Sequence, residues 1–133
     1  RRRCLFLWLP YPTLDQEIAI LKARLPDLSE RLANQIAALM QTLRGLSLQK
    51  APGVAESLDW AMALMNLHRD HLDMGALEQT LGCVIKVHED HDVVHAHAAE
   101  LANTLGEASR PQESGGYGLE TDFGFGSVSR PRR

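Results

Sequence analysis

Aromatic residues are scarce in this 133-residue chain, at 5%. Its core must then be built from Leu, Ile, Val, Ala and Met, which favours packed helices over a β-sandwich. Cysteine is nearly absent too: Cys4 and Cys83 cannot form a disulfide framework. Both lie among apolar neighbours and read as buried thiols of a reducing compartment. No stretch approaches the roughly 20 apolar residues of a membrane span. The basic opening and its short apolar run lack the length and the small-residue cleavage site of a signal peptide. Missing as well are a GxxxxGKS/T phosphate loop, an apolar strand ending in Asp-Glu, and a recognisable nucleophile motif. There is no internal repeat. A soluble cytoplasmic protein is expected, and this chain by itself should not hydrolyse a nucleotide.

What is present is 44% hydrophobic and 23% charged, the balance of one globular domain. The net charge of −3 conceals an asymmetry. Arg1, Arg2 and Arg3 open the chain, and Arg130, Arg132 and Arg133 close it. Between positions 4 and 106 stand 13 Asp and Glu against 7 Lys and Arg. So acidic a body predicts no nucleic-acid partner, and the apolar pattern predicts no membrane partner.

The opening reads RRRCLFLWLP. The run at positions 4–9 has no polar alternation, as in a strand buried on both faces. No second strand of that quality follows, so this is an orphan strand without its sheet. Pro10-Tyr11-Pro12 makes an extended connector. Thr13 with Gln16 is a capping box, and Asp15 and Glu17 suit a helix amino end. Leu14, Ile18, Leu21 and Leu25 mark the inner face, and Pro26 ends the helix. Ser29 starts a second helix, striped by Leu32, Ile36, Leu39 or Met40, and Leu43, and stopped at Gly45. After the Pro52-Gly53 breaker a third helix is predicted over 54–68, apolar on Leu58, Ala61, Met62 and Met65 and again on Trp60, Leu64 and Leu67. Asp73 caps a fourth, with Leu77, Leu81, Val84 and Ile85 inward. The polar HEDHD predicts a kink or break near 88–92, after which Val94, Ala98, Leu101 and Leu105 line a last helix ending at Gly106. Beyond it the Gly-rich composition of 107–133 predicts a disordered tail.

Two stretches together carry a family resemblance: RRRCLFLWLPYP followed by DQEIAILKARLP, and LQKAPGVAESLDWAMAL. In this order and separation, over roughly residues 1–105, they resemble the C-terminal part of a MoxR-family AAA+ ATPase. The nearer likeness is to the branch linked to maturation of molybdenum-containing carbon monoxide dehydrogenase-type enzymes. The resemblance implies a mainly α fold: a small lid-like helical bundle at 13–106, preceded at 1–12 by the end of a missing α/β core. It implies that the arginine block supplies an arginine finger, with Arg1 and Arg3 the candidates, since a guanidinium stabilises charge developing on a γ-phosphate. Lys50, Gly53, Val54, Glu56 and Ser57 would then lie near the nucleotide. Many relatives carry an arginine at the start of this helix, where Glu56 and Ser57 stand here. ATP and Mg²⁺ are implied as cofactors of the parent protein. The implied partners are further copies in a ring, a protein with a von Willebrand factor A domain, and a metalloenzyme client.

Four of the six histidines fall within ten residues. On a continuous helix His88, His91 and His95 share a face, at spacings that suit Zn²⁺ or Ni²⁺. The HExxH order is not kept and no cysteine completes the set, so a polar helix surface or a subunit contact is the expectation. His68 and His71 read as loop residues. Two rivals to the ATPase reading follow: a stand-alone, non-enzymatic helical interaction domain, and a metal-binding helical protein using the histidine cluster.

Overall fold

The computed structural model describes residues 4–110. Arg1, Arg3 and most of the predicted tail lie outside the described residues. Six α-helices follow one another: α1 (Leu14–Arg24), α2 (Glu30–Gly45), α3 (Val54–Asn66), α4 (Met74–Thr80), α5 (His88–Ala96) and α6 (Ala98–Ala108). Among the described residues there is no β-strand. Positions 4–12 form a strap outside any helix and without a pairing partner, and residues 5–9 stand 75–102% exposed.

Local chemistry explains the starts. Gln16 N–H donates to Thr13 Oγ1 at 3.3 Å, and Gln16 Oε1 accepts the Thr13 N–H at 3.0 Å, the reciprocal cap of α1. Ser29 Oγ accepts the Leu32 N–H and donates to the Asp70 carbonyl, so one hydroxyl caps α2 and ties it to the α3–α4 loop. Asp73 accepts the Ala76 N–H and caps α4.

α2 is the central element, packed against α1, α3 and α6. Leu32, Ile36, Leu39, Met40 and Leu43 are all buried on it, so Leu39 and Met40 both face the core. Gln35, buried beside them, pairs its amide with both the N–H and the carbonyl of Leu72. Trp60 is wholly buried on α3, and its Nε1 donates to Thr80 Oγ1 at 2.7 Å.

Several expectations change. Leu14 is exposed rather than buried, because the inner position one turn before Leu21 belongs to Glu17. Met62 and Leu67 are exposed, so the buried face of α3 is the narrower set Ser57, Trp60, Ala61 and Leu64. α3 stops at Asn66 in a left-handed turn: His68 has φ 54°, and the Arg69 N–H reaches back to the Leu64 carbonyl. The fourth helix is cut short at Thr80 and tightens into a 3-10 turn, Leu81–Cys83, around Gly82. Leu77, Leu81, Val84 and Ile85 are nonetheless all buried. The kink or break expected near 88–92 falls on either side of that run: the chain leaves helix at 84–87, α5 runs unbroken over His88–Ala96, and the chain turns again at His97. The last helix passes Gly106 and ends at Ala108. Cys4 is exposed and Cys83 half-buried, so neither is the fully buried thiol expected.

Candidate functional site

α1 opens with Glu17 turned toward α2, and α2 closes with Arg44 turned back toward it. The two meet as a buried, bidentate pair: Arg44 Nη1 and Nη2 donate to Glu17 Oε2 and Oε1 at 2.7 and 2.8 Å. Their side chains are 6% and 0% exposed. Burial of two charges is costly unless every remaining donor and acceptor is met. Here they are met. Ser57 Oγ, in the first turn of α3, donates to Glu17 Oε1 at 2.5 Å. Gln41 Nε2 donates to Glu17 Oε2 at 3.3 Å and to the Pro12 carbonyl at 3.1 Å. Arg44 Nε donates to the Pro52 carbonyl at 2.8 Å. The guanidinium lies over the Tyr11 ring, 4.8 Å from its centroid, within the range of a cation–π contact. The cluster thus joins the strap, α1, α2, the loop before α3 and the start of α3.

A second buried carboxylate holds that loop from the other side. Asp90 is 1% exposed and accepts the Gln49 and Lys50 N–H groups at 2.7 and 3.1 Å. Sequence reasoning missed both acids, reading Glu17 as a helix-end charge and Asp90 as part of a polar break. One signal was available. Glu17 stands four residues before Leu21, and Asp90 four before Val94, each on the face that its helix buries.

The residues expected near a nucleotide cluster around the same helix end. Gly53 is the N-cap of α3, and Glu56 Oε2 accepts its N–H at 2.9 Å. Ser57 is buried and engaged with Glu17, and Val54 is half-buried against the bundle. The side chain of Lys50 is exposed. A phosphate does not fit at the α3 amino end as it stands, because the Glu56 carboxylate already occupies the first amide and would repel an anion. Of this set, Lys50 alone offers a cation. Arg1 and Arg3 lie outside the described residues.

His88 and His91 lie with ring centroids 6.4 Å apart, His88 and His95 are exposed, and His91 is half-buried. Among the described residues no three His, Cys, Asp or Glu side chains form a group able to hold a metal ion, this trio included. His97 Nδ1 is turned back to the Val93 carbonyl at 2.8 Å, where the α5–α6 bend lies. No helix of the described residues is long and apolar enough to cross a membrane. In comparisons with protein-family models, curated proteins and solved structures, nothing matches this chain.

Proposed function

We propose that this chain is the C-terminal part of a MoxR-type AAA+ ATPase, contributing the last core strand, the helical lid and a tail. The ring so formed couples ATP hydrolysis to remodelling or maturation of a partner protein. The observation that carries this reading is the strap. Residues 5–9 are fully apolar and belong to no helix, yet stand exposed. Such a segment gains stability when both of its edges pair and both of its faces are covered, as inside a sheet. The helices beside it bury a core that does not include it. The order of pieces around the strap supports the same reading: arginine block, strap, Tyr-Pro, helix, then PGVAESLDW opening α3.

In this reading ATP and Mg²⁺ are held by core segments outside this sequence. The helices contribute a lid whose Lys50 is the one cation of the predicted set among the described residues. Arg1 or Arg3 reaches the neighbouring subunit's nucleotide. Partners are further copies of the parent, a von Willebrand factor A domain protein and a metalloenzyme client.

The first test is the intact mass of the native polypeptide that carries this sequence. A mass well above that of 133 residues is expected. In the assembled ring, Ala at the finger position, Arg1 or Arg3, should lower kcat for ATP by about a thousandfold or more while leaving ATP binding in place. A native mass equal to that of this chain, or full activity in both variants, would overturn the proposal.

A further inference from the structure

We propose that Arg44 is a positioning residue that ties the strap to the amino end of α3, so that the two move as one body. A lysine would serve to neutralise Glu17, but Arg44 uses its whole planar fork. Two nitrogens take the Glu17 carboxylate, Nε takes the Pro52 carbonyl, and the flat face takes Tyr11. Pro52 and Ser57 bracket Gly53, the cap of α3, so this guanidinium and its carboxylate hold the helix end from both sides.

Tyr11 is the other end of the tie. It is 55% exposed, so its ring adds little to the core. What its stacking sets is direction. Pro10 and Pro12 on either side restrict the backbone, so fixing Tyr11 and the Pro12 carbonyl fixes the line along which residues 5–9 leave the bundle. A displacement of the α3 end then reaches the strap through Arg44. The use of this linkage rests on the proposed function, in which the strap enters a sheet and the helices form a lid. The linkage itself does not.

It is tested on this chain, with spin labels at Leu9→Cys and Ala55→Cys in a Cys4→Ser/Cys83→Ser background. Pulsed dipolar spectroscopy should give one narrow distance. Tyr11→Leu and Arg44→Lys should lose the narrow peak, whereas Tyr11→Phe, which keeps the ring face, should retain it. The thermal midpoint of Tyr11→Leu should stay that of the parent, which separates orientation from folding. A broad distribution in the parent, or a narrow one in Tyr11→Leu, would overturn the proposal. The measurement needs no ATPase activity, so an inactive ring would remove the proposed function and leave this result standing.

Discussion

Removing one partner of the Glu17–Arg44 pair leaves the other buried without its counter-charge. Glu17→Ala should therefore cost about 3–5 kcal/mol of unfolding free energy in a urea titration. The double variant Glu17→Leu/Arg44→Met should recover much of that loss, because two apolar side chains need no compensation there. His68 is the opposite case. It adopts a left-handed conformation that costs a side chain with a Cβ about 1–2 kcal/mol, and nothing in its exposed position offsets this. His68→Gly should raise stability by about 1 kcal/mol, read as a higher denaturation midpoint. At this scale the sequence showed the caps Thr13, Ser29 and Asp73, because a cap acts within three residues. It did not show Glu17 or Asp90 as buried acids, because their partners lie 27 and 41 residues away.

The helices hold together through α2, whose apolar residues reach α1, α3 and α6. Their ends carry a pH dependence. The Ala76 N–H holds the Asp73 carboxyl below its ordinary range, with Arg69 assisting. The hydrogen bond from His71 does the same for Asp70, and that from Lys22 for Glu30. Each lowered group stabilises the fold above its ordinary pKa, and that stability is lost as pH falls through the lowered value. Stability should thus decline on acidification below about pH 4. Asp73→Asn keeps the cap and removes one titrating group, so its stability-against-pH curve should be flatter there. Helix identity was readable from period and caps for α1, α2 and α3. The exact places of the breaks in the last region were not: the polar run at 88–92 lies inside α5, and the turns fall at 84–87 and at His97. The histidine trio was legible as a pattern but not as a site: one helix face does not converge on an ion without side chains from another element.

For the molecule as a whole, the strap stands out, with five consecutive apolar residues facing water. Exposed apolar extended segments promote association between copies. The double variant Phe6→Ser/Trp8→Ser should sediment as a smaller, less concentration-dependent species than the parent chain. Its thermal midpoint should be unchanged, because neither side chain belongs to the core. A drop in midpoint would show instead that the strap contributes to the bundle.

Read alone, the residue pattern was enough to tell that the described chain is helical, where α1 to α3 begin, and that α2 is lined by Leu32, Ile36, Leu39 or Met40, and Leu43. These are short-range matters of capping, period and residue size. It takes the folded arrangement to gather Glu17, Arg44 and Ser57 into one buried cluster and to hold the strap at Tyr11 and Pro12. Each of these depends on groups distant in the chain coming into contact, and a linear pattern carries no distance between segments.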